Sequence, residues 1–181
     1  MIEELANLLA ATPATPPTAG RAPDSRRYEV IDGRMVVTGV QPPAHQAAVV
    51  ALMVLLKQAC PSDLLVSVDS LDFRPTLRHS LRPDILVTSR AEAGPVYVQH
   101  AVLAVEVLSP TTRATDVVTK RELYAAHGIP SYWLVDPAAQ ELTVLQLEDG
   151  HYVCEAVIQG EEVFTTMQPF AVRLTPSALM G

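Results

Sequence analysis

The sequence is poor in cysteine, in aromatic residues and in positive charge, and each scarcity argues against a class of protein. Its two cysteines, Cys60 and Cys154, stand far apart with no CxxC or Cys/His spacing. That speaks against a disulfide-built scaffold or a structural zinc site and fits a reducing, cytoplasmic setting. Lys and Arg number 13 against 20 Asp and Glu, for a formal net charge of -7. A protein that coats nucleic acid by charge alone needs the opposite balance, because nonspecific binding draws on many phosphate contacts. Any contact with nucleic acid is therefore expected to be local. The longest apolar run, Ala47 to Leu56, has ten residues, where a membrane span needs about 20. The start, Met1-Ile2-Glu3-Glu4, is acidic where a signal peptide is basic. The expectation is a chain that is neither exported nor anchored, with no membrane partner.

What the chain does have is length and apolar content enough for one core: 181 residues, 49% hydrophobic and 18% charged. Residues 1–26 read as a leader, because Ala11 to Pro23 is mostly Ala, Thr and Pro, a composition that packs poorly and prefers extended backbone. Residues 27–181 read as a single domain. It opens with Arg27-Tyr28-Glu29-Val30-Ile31, the pair Asp32-Gly33, and Arg34 to Thr38, which is the pattern of a two-residue hairpin. Ala44 to Ala59 lacks Gly, Pro, Asn and Asp and predicts a buried helix. Leu64 to Phe73 alternates as a half-buried strand does. Pro83 to Thr88 and Ala101 to Leu108 are short Val/Ile/Leu runs, the signature of central strands covered on both faces. A helix follows from about Asp116 to His127, capped by Thr115 and ended by Gly128 and Pro130. Strands at 131–135, 141–147 and 151–158 complete the pattern, the last two joined through Asp149-Gly150. The fold class is α/β (α+β): a mixed central β-sheet flanked by helices.

Three charged residues stand out against apolar surroundings. Asp84 follows Pro83 at the start of one central run, Glu106 lies inside Val102-Leu103-Ala104-Val105-Glu106-Val107-Leu108, and Lys120 comes fourteen residues later. A buried carboxylate is costly unless it is paired, protonated or bound to a metal. If the two strands are neighbours, both carboxylates converge on a hard cation such as Mg²⁺, with Mn²⁺ as a substitute, which takes oxygen ligands and keeps several waters. On the helix, Val117, Lys120, Tyr124 and His127 share one stripe; if that stripe faces the sheet, Lys120 points inward, where it could orient a water or offset charge on a phosphate. Asp116, four residues before Lys120, offers a plain surface ion pair as the competing role for that lysine. His45 opens the first helix and is a candidate to meet a phosphate or water. Arg74, Arg78, His79 and Arg82, with Arg113, form a candidate basic rim where a nucleic-acid backbone lies. Tyr132 and Trp133 read as core.

Pro83-Asp84, Val105-Glu106-Val107-Leu108-Ser109-Pro110, Asp116 with Lys120, Tyr124 to Pro130, Tyr132-Trp133-Leu134-Val135-Asp136-Pro137 and Tyr28 to Gly33 together resemble the Uma-type putative restriction endonuclease family. That family lies within the PD-(D/E)XK nuclease superfamily. The resemblance implies a restriction-endonuclease-like fold, Asp84 and Glu106 as metal ligands with the backbone carbonyl of Val107 as a further oxygen, and Glu29 as an additional metal or water partner. The lysine of the superfamily pattern is replaced by Leu108, and its role passes to Lys120. The function expected is Mg²⁺-dependent hydrolysis of DNA phosphodiester bonds, by a homodimer because duplex cutting needs two sites or two events. The competing expectation is a nuclease scaffold without catalysis that serves binding or assembly.

Overall fold

Asp32 and Gly33 both adopt positive φ, 52° and 75°, the left-handed backbone that a two-residue hairpin turn requires. They join β1 (Arg27–Ile31) to β2 (Arg34–Thr38) in register, Glu29 opposite Val36. The structure, a computed structural model, describes residues 26–180. The expected leader, 1–26, therefore lies outside the described residues except for Arg26.

After the hairpin, α1 (Pro43–Ala59) begins with a proline in its first turn and carries a basic residue, Lys57, in its last, both favourable placements. Then come β3 (Leu64–Val68), β4 (Asp72–Phe73), β5 (Ile85–Ser89), β6 (Tyr97–Val98) and β7 (Leu103–Val107). A π-helical segment, Thr115–Lys120, runs into α2 (Arg121–Ala126), followed by β8 (Ser131–Asp136), β9 (Glu141–Glu148) and β10 (His151–Gln159). A small hairpin, β11 (Phe164–Thr166) and β12 (Val172–Leu174), and a 3-10 turn at Ser177–Leu179 close the described chain.

The central sheet has six strands in the order β10-β9-β8-β7-β5-β3. Only β7 and β8 are parallel, and the connection between them is the π segment with α2, since parallel neighbours need a crossover. Strand alternation divides the core between two faces. Ile85, Val87, Val105, Val107, Trp133 and Val144 pack on Leu52 and Leu56 of α1. On the opposite face Leu86, Ala104, Leu134 and Leu145 pack with Phe73, Tyr124, Tyr132 and Tyr152. Tyr132 and Trp133 are thus both core, one on each face, as expected.

Two expectations need correction. Leu64 to Phe73 is not one strand: Asp69 takes a left-handed φ of 47° and breaks it after Val68, which a short polar side chain tolerates, and β4 pairs with β6 in a separate two-stranded sheet. The helix expected from Asp116 to His127 is present, but its first six residues wind as π-helix and carry no side-chain cap from Thr115. Asp116 and Lys120 are the two buried residues of that segment, so the wider winding coincides with the two charges turned toward the sheet.

Candidate functional site

Asp84 sits one residue before β5, and β5 runs antiparallel to β7 with Ile85 opposite Val105. Continuing that register one step sets Asp84 across from Glu106, on the face that carries Leu86 and Ala104. Both carboxylates are nearly out of solvent, at 2% and 1% exposure. The Val107 N–H donates to Asp84 Oδ2 at 2.7 Å, so Val107 meets this carboxylate through its amide rather than its carbonyl. His45 Nε2 lies 3.1 Å from the same oxygen, and the Arg27 guanidinium donates to Oδ1 at 2.6 Å. Burial works against the Asp84 charge, but the His45 hydrogen bond and the charges of Arg27 and Lys120 prevail and hold its pKa down to about 2.

Lys120 Nζ lies 3.0 Å from Glu106 Oε1, 3.1 Å from Glu29 Oε1 and 3.2 Å from Asp116 Oδ1. The Tyr124 hydroxyl also donates to Glu106 Oε1, at 2.8 Å. Glu29 reaches this centre from β1, where the Arg82 N–H donates to its Oε1 at 2.8 Å. Tyr132 fastens the π segment by donating its hydroxyl to the Asp116 carbonyl at 3.0 Å. Burial opposes the Lys120 charge, but Glu106, Glu29 and Asp116 raise its pKa well above the ordinary lysine value, so it is cationic at any working pH. Glu106 is held well above the ordinary carboxylate range, by burial first and then, against Lys120, by the charges of Asp116, Asp84 and Glu29. Asp116 is likewise raised by burial.

The charge balance is the chemically telling feature. Glu29, Asp84, Glu106 and Asp116 face two full cations, Arg27 and Lys120, and Arg27 is shared with Asp69. The centre thus holds two more carboxylates than full cations, and burial keeps Glu106 and Asp116 from ionising readily; a divalent cation would favour their ionised forms. A hard oxygen donor set of this kind fits Mg²⁺ or Mn²⁺. Among the described residues, no three ligating side chains stand together at metal-binding spacing.

Asp84, Glu106, Lys120, Glu29 and His45 are thus brought together, and Lys120 and Tyr124 of the expected helix stripe face inward. His127 does not join them: its ring lies 5.5 Å from that of His79 and 6.4 Å from that of Phe73. The surface ion pair offered for Asp116 and Lys120 is buried instead. The basic rim is also different from expectation. Arg74 and Arg82 turn inward onto buried Asp72, at 2.6 and 2.8 Å, His79 is buried, and Arg113 pairs with Asp136. Two members were missed. Arg27 was legible as the alternate-position neighbour of Glu29 on β1, whereas Asp116 was read only as a surface partner. A cavity of about 250 Å³ opens beside Glu29, Thr112, Thr115, Asp116 and Lys120, while a larger one of about 650 Å³ along α2 and β10 touches none of the site residues.

The sequence profile of the Uma2 family, described as "Putative restriction endonuclease", matches residues 16–177. The chain belongs to the Uma2 family. No curated protein matches it significantly. Among solved structures, the fold is similar to a crystal structure described as a putative nuclease belonging to DUF820 from Anabaena variabilis ATCC 29413. The TM-score is 0.71 with 19% sequence identity over 85% of this chain and 89% of that one. The Uma2 relationship and this shared fold make the protein restriction-endonuclease-like in family and architecture, with the mixed sheet expected from sequence. No helix among the described residues is long and apolar enough to cross a membrane.

Proposed function

We propose that this Uma2 protein is a metal-dependent endonuclease that hydrolyses DNA phosphodiester bonds, acting as a cytoplasmic homodimer so that two sites serve two strands. The observation that carries the reading is the pair of buried carboxylates Asp84 and Glu106 on facing strands, in a centre with two more carboxylates than full cations. The family and the fold support the nuclease class.

Asp84, Glu106 and the nearby carboxylates would hold the cation, which when bound polarises a phosphoryl oxygen and lowers the pKa of water near it. The chain's own groups prepare the rest. His45 and Arg27 keep Asp84 ionised and correctly turned, and Tyr124 holds Glu106 against the sheet. Lys120 keeps its proton and is placed to orient the attacking water or to offset charge gathering on the phosphate. Glu29 adds a further acceptor for that water or for the cation.

A second reading, a scaffold kept for binding or assembly without catalysis, is favoured by how completely the groups satisfy one another: Asp84 has three donors and Lys120 three carboxylates. Calorimetric titration with Mn²⁺ separates the two. Wild-type binding that is lost in Asp84→Asn and in Glu106→Gln, both still folded, supports the nuclease and opens a screen of DNA substrates in Mg²⁺. No binding by folded wild type favours the scaffold.

A further inference from the structure

With Arg74 and Arg82 turned onto Asp72 and Arg113 onto Asp136, the expected basic rim does not mark where a nucleic-acid strand meets Asp84. A different surface adjoins that carboxylate. A cavity of about 600 Å³, within the size range of ligand sites, takes its wall from Arg26 and Arg27 at the start of β1, Gln41 between β2 and α1, Gln46 in the first turn of α1, and Asp69 and Ser70 just after β3. Arg27 ties this wall to the centre, since it donates to Asp84 at 2.6 Å and to Asp69 at 3.1 Å. Gln46 does so through the chain, because the residue before it, His45, lies 3.1 Å from Asp84.

The wall is rich in donors. Arg27 spends two of the five N–H groups that a guanidinium carries on Asp84 and Asp69, which leaves three for a further acceptor. Gln41 brings a carboxamide whose nitrogen and oxygen are both buried and both without a hydrogen bond. Such a group is costly to leave unanswered, and its terminal torsion is broad, so it turns toward a ligand at little cost. Gln46 and Ser70 are exposed, and Arg26 adds a cation. Asp69 is the one carboxylate in the lining, and it is already paired with Arg27.

Arg, Gln and Ser donors gathered around one cavity suit an acceptor-rich polyanion, and these are the side chains that hold nucleic-acid phosphates in register. We propose that this cavity seats the backbone phosphates that flank the scissile one, held by Arg26 and Arg27 with the carboxamides of Gln41 and Gln46. The inference rests on the nuclease reading above and adds to it the path of the strand. Arg82, also at the wall, is held on Asp72, and Arg27 is shared with Asp69 and Asp84. The cavity therefore positions a strand by hydrogen bonds more than it attracts one by charge, in keeping with a net charge of -7. Arg27 couples the two places: the guanidinium that turns Asp84 also meets the neighbouring phosphate.

The test is fluorescence anisotropy of the full chain with a short fluorescein-labelled DNA duplex and with its single strand, in EDTA so that no cleavage intervenes. Arg26→Glu and Gln46→Glu, both at exposed positions and checked for folding by circular dichroism, are expected to bind at least about tenfold more weakly than wild type, because each sets a carboxylate against a phosphate. Arg78→Glu changes the net charge as much as Arg26→Glu does but lies outside the cavity, and it is expected to bind as wild type does. Arg26→Ala is expected to lower the slope of log affinity against log salt by about 1. An equal loss in Arg78→Glu overturns the proposal, because binding then follows net charge rather than this cavity. Binding by wild type that folded Arg26→Glu and Gln46→Glu both keep overturns this inference alone, whereas folded wild type that binds neither DNA form overturns the functional reading beneath it.

Discussion

Two buried charge networks lie side by side in this protein, and they are built in opposite ways. Around Asp72, one carboxylate takes Arg82 on Oδ1, and Arg74 and Ser80 on Oδ2, with Arg74 also placed over the Tyr97 ring at 5.2 Å. Around Lys120, one ammonium faces three carboxylates, Glu29, Glu106 and Asp116. The first network has more cations than carboxylates and its acceptors are filled; the second has more carboxylates than cations. The difference teaches which one is structural. A filled network holds the chain in place, whereas an underpaired one retains an unfavourable charge that a ligand can compensate. Arg82 joins them, its side chain on Asp72 and its N–H on Glu29, so the structural network positions the segment that leads to Asp84.

The comparison can be broken most sharply at Asp72. Asp72→Ala leaves two inward-turned guanidinium groups without their acceptor and is expected to cost about 3 to 5 kcal/mol of stability, read by urea denaturation. A loss of well under about 1 kcal/mol would mean that the Asp72 network is not structural. Asp84 comes next. Its folded pKa of about 2 lies below the ordinary aspartate value of 3.8, so its contribution is fully present above pH 4 and is lost as the pH falls through the folded value. That amounts to about 2 kcal/mol. Stability measured from pH 5 down to pH 2 is expected to show this decline in wild type and not in Asp84→Asn. The smallest effect sharpens the comparison: because burial and its anionic neighbours disfavour charged Glu106, Glu106→Gln in the absence of divalent cation is expected to leave the melting temperature unchanged or raise it, by at most about 1 kcal/mol of stability. A clear loss of stability would show that Glu106 serves folding more than function.

Much of this was legible in the sequence because the informative residues violate local patterns. Glu106 inside an otherwise apolar strand marks itself, and the antiparallel register of β5 and β7 brings Asp84 across from it. Alternation along β1 puts Arg27 and Glu29 on one face, a signal present in the sequence although Arg27 reads there only as the first residue of the hairpin. Asp116 was hidden for a geometric reason. At four residues before Lys120 it reads as an ordinary surface pair, and only the π winding and the sheet above it turn both side chains inward. The arginines misled in the opposite sense, since clustering in sequence says nothing of a buried acceptor such as Asp72, which arrives from β4. The chain after Gln159 has few periodic signals, and its hairpin and final turn are held by tertiary packing of Phe164, Phe170 and Leu179 on the α1 side.

The central claim is that Asp84 and Glu106 share a divalent cation. It is tested most directly by crystals grown with Mn²⁺ and measured for anomalous scattering. A single strong peak between these two carboxylates is the expected result; folded, Mn²⁺-saturated crystals with no peak there, or with a peak only at a remote surface site, would contradict the account.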